Sequence, residues 1–304
     1  MKVILGYLIV IFSVFGGYAM SGGHMLALFQ PYEFLIIVGA AVGAFIVSNS
    51  TKVIRATMKA IASIVKKSGG SKKYNIELLS MFFELTTKIK KDGILAIEAD
   101  VEDYKNSELF KKYPLVVTDS TVMEFLCDHL RLIITGRVSL NQLDELIDQD
   151  IETFESEADL PIQAITKVAD SMPAFGIVAA VMGVVITMGM IGGPPDELGG
   201  HVAKALVGTF LGILIGYGFI APIAATLENQ LSATITVLQS IKVVLLASVH
   251  NLAPSIAVEF SRKLLYSSDR PTSQELELML SDLKSSKATE AKDGTSATPE
   301  KESV

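Results

Sequence analysis

Two apolar stretches, Met172–Ile191 and Val202–Leu227, hold the residue types from which a path for an ion through a membrane is built. Each contains a proline near one end, Pro173 and Pro222. A proline inside a helix frees the carbonyl four residues earlier, here that of Ala169 or of Gly218, and tends to kink the helix. In lipid such a carbonyl needs protein or water to satisfy it. Two prolines at similar depth therefore point to a tight helix–helix site or to a water-lined vestibule. Gly208, Gly212 and Gly216 recur every four residues, the small-xxx-small spacing of close helix packing in membranes. The packed partner is left open, another helix of this chain or another subunit. Thr209 places a hydroxyl in the second stretch, able to bond its own backbone, to hold water or to offer a ligand. Asp170 stands at the edge of the first, as a proton acceptor or as an interfacial charge. Neither apolar core contains a carboxylate, yet ion paths across membranes are usually built on an ionisable residue. That residue is expected on another chain.

The elements that position these residues follow from hydropathy. The chain has 304 residues, of which 50% are hydrophobic. Its mean hydropathy is +0.44, too apolar for an ordinary soluble domain of this size. Four stretches approach or reach the roughly 17–25 residues that span a bilayer. They are Val3–Met20, Phe34–Ser48, Met172–Ile191 and Val202–Leu227, with Val53 and Ile54 as an extension of the short second one. The first is read as a retained span. A signal peptide is the alternative, but the cleavage pattern is poor and a second span follows closely. The turns Ser21–Tyr32 and Gly192–Ala203 hold no Lys or Arg. Lys52, Arg55, Lys59, Lys66, Lys67, Lys72 and Lys73 follow span two, so both termini and the middle segment are expected in the cytoplasm. Lys204 lies at the outer end of span four, where it can snorkel to the interface.

The segment from Thr51 to Ala169 reads as helical almost throughout. Ile76–Lys90, Ile94–Asp103, Val122–Thr135 and Leu140–Ser156 are the expected helices, with breaks at Gly93 and at Lys111–Pro114. Ser232–Leu252 is expected to continue the fourth helix into the cytoplasm and pack on this lobe. The fold class is all-α and polytopic: four membrane helices with a large helical cytoplasmic lobe. The expected divisions are residues 1–50 for spans one and two, 51–169 for the lobe, 170–228 for spans three and four, 229–284 for C-terminal helices, and 285–304 for a disordered tail.

Charge and cysteine usage exclude other classes. The net charge is −7, and no basic patch interleaved with aromatics suggests nucleic acid. The lone Cys127 has neither a base nor metal ligands beside it, so it reads as a buried structural thiol rather than a nucleophile. His24, His129, His201 and His250 are scattered without metal-ligand spacing. No metal, cofactor or enzymatic activity is expected. Two charge zones stand out: Lys88, Lys90 and Lys91 followed by Asp92, Glu98, Asp100, Glu102 and Asp103, and an acidic run from Asp144 to Asp159. Each is either a solvated helix face or a docking surface that steers a partner.

Three long motifs carry a resemblance. They are DSMPAFGIVAAVMG from Asp170 to Gly183, VGTFLGILIGYGFIAP from Val207 to Pro222, and AVEFSRKLLYSSDRP from Ala257 to Pro271, together with Gly6-Tyr7 and Phe15–Tyr18 in the first span. They resemble the flagellar motor stator subunits of the MotA type, in the MotA/TolQ/ExbB proton channel family, over about residues 1–280. The resemblance implies a ring of subunits, a pentamer, around a dimer of single-span MotB-like partners whose aspartate supplies the missing carboxylate. It implies that Pro173 and Pro222 lie beside that aspartate, and that Lys90 and Glu98 engage the rotor protein FliG. Lys90 stands where the enterobacterial pattern has arginine, which keeps the charge but not a bidentate fork. Sodium-driven relatives such as PomA carry a threonine seven residues after the span-three proline. Ala180 occupies that position here and offers no oxygen to a hard cation, so protons are expected as the coupling ion, with sodium disfavoured.

The function expected is an ion-conducting stator subunit in a bacterial inner membrane that turns proton flow into rotor torque. The alternative is an energiser of envelope transport like ExbB or TolQ. Those relatives have three spans with the N-terminus outside, and the four-span count and the Lys90 and Glu98 pair argue against it.

Overall fold

Residues 2–64, 71–136, 138–192 and 195–293 are described by the structure, a computed structural model. Lys66 and Lys67 of the basic cluster and residues 294–304 of the expected tail lie outside them. Among the described residues the secondary structure is helical, with no strand. Among the described residues four helical segments are long and apolar enough to cross a membrane: Val3–Met20, Met25–Ser48, Leu140–Met188 and Gly199–Val249.

The chain divides into two compact units, one of Met1–Lys67 with Ser156–Asn229 and the other of Ser68–Glu155 with Gln230–Val304. The expected lobe of residues 51–169 is thus split, with both of its ends assigned to the unit that holds the spans. That unit contains α1 (Lys2–Met20), α2 (Pro31–Ser48) and α3 (Thr51–Ser63). Val53 and Ile54 do not extend span two. The Ser48 hydroxyl and the Asn49 amide donate to the Ala44 and Phe45 carbonyls at 2.7 and 2.8 Å, local bonds that compete with helix continuation. Asn49 is extended, and the Ser50 side chain then caps α3 by accepting from Val53 N–H.

The second unit is built on α4 (Lys72–Asp92), α5 (Glu98–Glu102), α6 (Pro114–Val117) and α7 (Ser120–Thr135). Ser71 caps α4 and Asp119 caps α7. Gly93, at φ +84°, and Gly136, at φ +65°, end α4 and α7 in conformations that a side chain would strain. Next comes α8 (Leu140–Met188), whose start is a capping box: Ser139 and Gln142 exchange backbone-to-side-chain bonds at 3.1 and 3.4 Å. The helix runs unbroken through Pro161 and Pro173 and enters the membrane unit as span three. Span four is α9 (Pro195–Ile213), a π-helical segment Leu214–Ile220, and α10 (Ala221–Val249), which continues into the second unit.

After α10 the chain turns at Asn251, which takes φ +55°, and Pro254 starts α11 (Pro254–Leu264). The final helix, α12 (Ser273–Asp293), covers nine residues of the segment expected to be disordered. Thr272 and Glu275 form its capping box at 2.8 and 3.2 Å, and Lys72 binds Glu275 at 2.7 Å.

The lobe core is one cluster in which Leu78, Phe82, Phe110, Leu126, Ile147, Leu238 and Val244 are buried. At about 1.5–3 kcal/mol for each large side chain, this burial is the main stabilising term. The C-terminal motif acquires its physical reason here. The Arg262 side chain is 4% exposed. It donates to both carboxylate oxygens of Glu259 at 2.7 Å, to the Pro271 carbonyl at 2.9 Å and to Ser273 Oγ at 3.0 Å. It therefore ties α11 to the start of α12. Arg262→Ala is expected to destabilise the lobe by about 3 kcal/mol, measured by thermal unfolding of the purified complex. The Arg262 hydrogen bonds hold the Glu259 carboxyl below its usual range. A depressed carboxyl pKa stabilises the fold above its unfolded value near 4. That contribution is lost as pH falls through the lower folded value, a step that Glu259→Gln should lack.

Candidate functional site

The glycine stripe packs against span three of the same chain, which resolves the open choice between an internal and an external partner. A Cβ placed on Gly208 would lie 3.1 Å from Ala179 Cβ and 3.3 Å from the Ala180 nitrogen. One on Gly212 would lie 2.6 Å from the Met172 carbonyl oxygen and 3.0 Å from Gly176 Cα. One on Gly216 would lie 2.6 Å from the Ala169 carbonyl oxygen and 3.3 Å from Pro173 Cδ. Span three answers with small residues of its own. A Cβ on Gly176 would meet the Gly208 carbonyl at 2.8 Å, and one on Gly183 would meet Ala205 Cβ at 2.7 Å. Gly176 and Gly183 stand seven residues, two turns, apart on one helix face, a spacing the sequence carries but one not singled out from it.

This packing gives Pro173 a specific consequence. The carbonyl it frees is that of Ala169, the atom that approaches Gly216. A backbone carbonyl laid against a bare glycine is the arrangement used by Cα–H···O contacts. The orphan acceptor therefore faces a neighbouring helix, and α8 needs no break at Pro173.

Pro222 behaves differently. A simple kink was expected there, but the chain widens into the π-helical segment just before it. Ala221 N–H reaches back five residues to the Gly216 carbonyl. Pro222 offers no N–H to Gly218, whereas the five-residue register would pair Gly218 with Ile223, which has one. The expected similar depth of the two prolines is also corrected. Pro173 lies level with Gly216, six residues before Pro222, an axial offset of roughly 9 Å.

Ala180 and Thr209 flank the same crossing, both half-buried. Ala180 abuts Gly208, and the Thr209 Cα would stand 3.3 Å from a Cβ on Gly176. Thr187 and Thr226 each donate to the carbonyl four residues back at 2.8 Å, but no such bond is made by the Thr209 hydroxyl among the described residues. Asp170 is exposed and carries no ion pair among them. Within spans three and four the apolar cores hold no acid. A membrane-edge carboxyl on another span is Glu33, in the first turn of α2, whose Oε2 is enclosed without a hydrogen-bond partner among the described residues.

In the second unit the basic and acidic zones are largely committed to internal bonds. Lys88 pairs with Asp100 at 2.7 Å, and Arg131 reaches Glu102 at 3.3 Å. Lys242 binds Asp144 and Asp148, each at 2.6 Å, and His129 Nε2 faces Asp150 at 3.7 Å. Lys90 is exposed, yet its ammonium donates to the Asn251 and Leu252 carbonyls at 3.3 and 3.4 Å, just past the end of α10. Glu98 is exposed at the start of α5 and carries no ion pair among the described residues. Between the two, Leu95 is 66% exposed. Burial pushes the Cys127 thiol up to about 12, the state of an unreactive core thiol.

The comparisons fit this geometry. The family model for the Motility protein A N-terminal region matches residues 4–93, and that of the MotA/TolQ/ExbB proton channel family matches residues 118–257. Motility protein A of Salmonella typhimurium is 48% identical over 277 residues, 91% of this chain and 94% of that protein. The chain belongs to the Motility protein A family. Motility protein A of Escherichia coli is 47% identical over the same share, and chemotaxis protein LafT of Vibrio parahaemolyticus is 33% identical over 93% of this chain and 99% of its own length. Among solved structures, MotAB of C. jejuni has a TM-score of 0.77 at 20% identity, covering 90% of this chain and 98% of that one. The flagellar MotAB stator complex from Bacillus subtilis has a TM-score of 0.73 at 22% identity, covering 88% and 96%. The likeness at those identities is one of fold, and it agrees with an all-α, four-span membrane protein.

Proposed function

We propose that this chain is the ion-conducting stator subunit of a bacterial flagellar motor and works with a MotB-like single-span partner. The observation that carries the reading is the crossing of spans three and four, closely packed and bearing a hydroxyl without a hydrogen bond, but lacking an acid of its own. Such a site is completed by a carboxylate from a second chain. Membership of a proton channel family and near-full-length likeness to motility proteins support the same reading.

In this mechanism a proton reaches the partner's aspartate beside spans three and four. Neutralising that carboxylate changes its preferred contacts, and a ring of these subunits steps around the partner. Each proton releases about 2.3 kcal/mol per 100 mV of membrane potential. Lys90 and Glu98 transmit torque to the rotor protein FliG. Protons are favoured over sodium because Ala180 brings no side-chain oxygen to the crossing and the Thr209 hydroxyl alone is a poor cage for a hard cation. The chain acts as a transporter and motor part rather than as an enzyme, in the inner membrane with both termini cytoplasmic.

The test is complementation. A strain lacking the gene should build flagella but not swim, and this chain should restore swimming. Speed should be insensitive to sodium and collapse with a protonophore. Restored envelope transport without motility would instead support the ExbB-like alternative.

A further inference from the structure

Span one presents most of its large side chains outward: Ile4, Leu5, Leu8, Ile9 and Phe12 are exposed. Its half-buried positions include Val3, Tyr7, Val10 and Val14, an inward stripe at helical spacing. Tyr7 is a polar member of that stripe, and it falls at the π-helical segment of span four. Its hydroxyl donates to the Phe219 carbonyl at 2.9 Å. Its ring stacks on that of Phe219, with centroids 5.3 Å apart and planes at 29°. One turn along, Val10 Cγ1 would lie 3.4 Å from a Cβ on Gly218. Phe15 then meets Phe210 edge-on at 6.5 Å.

A π-segment has poorer hydrogen-bond geometry than an α-helix and is rare without a cause. Pro222 supplies one cause from within the helix. Tyr7 supplies a second from outside, because a phenol in apolar surroundings needs an acceptor and the Phe219 carbonyl is one. Rewinding the seven π residues as α would change the phase between the glycine stripe and Pro222 by roughly 100°. Gly208 and Gly212, which precede the segment, stay locked to span three, so the change would turn Pro222 and the chain beyond it.

We propose that Tyr7 is a positioning residue for torque generation: its bond and stack on Phe219 hold the π-turn of span four, which sets the direction in which the Pro222 end of the ion path faces. The proposal rests on the stator reading, and complementation by the unaltered chain tests that reading separately.

The decisive variant is Tyr7→Phe, which keeps the stack and loses the bond. Torque is followed on a tethered bead as stator units join the motor one at a time. The number of steps reports assembly, and the height of each step reports torque per unit. A lost hydrogen bond corresponds to roughly a fivefold shift in the population of the π-turn. The expected result is a normal number of steps, each reduced severalfold, with Tyr7→Ala lower still. Steps of normal height, whether normal or reduced in number, would mean that Tyr7 only anchors span one and would overturn the proposal. If Tyr7→Phe alone forms no motor, it is expressed together with the unaltered chain. Steps of reduced height in the mixed motors support the proposal, and steps of normal height overturn it.

Discussion

Gly212→Val is expected to abolish swimming in cells that still build flagella, through failure of the stator to assemble. The first atom of the new side chain would lie 2.6 Å from the Met172 carbonyl oxygen and 3.0 Å from Gly176 Cα. Both neighbours are backbone, so neither can move aside by changing rotamer. Overpacking in well-filled interiors typically costs about 1–3 kcal/mol where side chains can adjust. Here the two helices must separate, and the whole crossing from Ala169 to Gly183 loses contact with span four. Without a hydrophobic drive between helices in lipid, close packing is the main force holding them. Pull-down of the partner from membrane extracts should therefore fail as well. Gly43→Val is the control, because a Cβ there meets nothing within 4 Å, and it should swim nearly normally. Normal motility of Gly212→Val would refute the close crossing.

The second large effect is expected from Pro222→Leu, and its signature is the opposite one. The stator should assemble and retain its partner while producing no rotation. Leucine restores the N–H that proline lacks, so the Gly218 carbonyl regains its partner four residues on, and an α register becomes available through Leu214–Ile220. The crossing at Gly208 and Gly212 precedes the rewound segment, so packing there survives. What changes is the phase of the helix beyond the crossing, and with it the surface offered to the partner's carboxylate. Fluorescently tagged stators should still gather at the motor, and bead rotation should be absent. Rotation at normal torque would show that the π-turn is incidental.

These two outcomes separate what local sequence conveys from what it does not. The spans were legible because a bilayer demands about twenty apolar residues in a row, a property of neighbours along the chain. The breaks at Gly93 and at Lys111–Pro114 were legible for the same reason, since backbone preference is carried by single residues. The failure at Val53 and Ile54 came from reading hydropathy past Asn49 and Ser50, whose side chains bond to local backbone and end the span.

Much of the site could not be read this way. The glycine stripe announced close packing, but its partner face of Gly176, Ala179 and Gly183 lies across a turn. The charge zones left a solvated face and a docking surface as alternatives, and neither reading foretold that Lys242 takes up two of the aspartates or that Lys90 rests on carbonyls 161 and 162 residues away. Glu98 and Leu95 stay exposed.

By itself, the sequence determined the class, the span count, the absence of an acid from spans three and four, and the family, all of which rest on composition and contiguous motifs. Tertiary structure alone decided that the stripe closes on its own chain, that the Ala169 carbonyl is sheltered by Gly216, and that Pro222 is met by a π-turn rather than a kink. The bond from Tyr7 to Phe219 joins residues 212 apart. Periodicity reports which face of a helix is apolar or small, but it does not report what that face meets, because the partner is selected by packing in space.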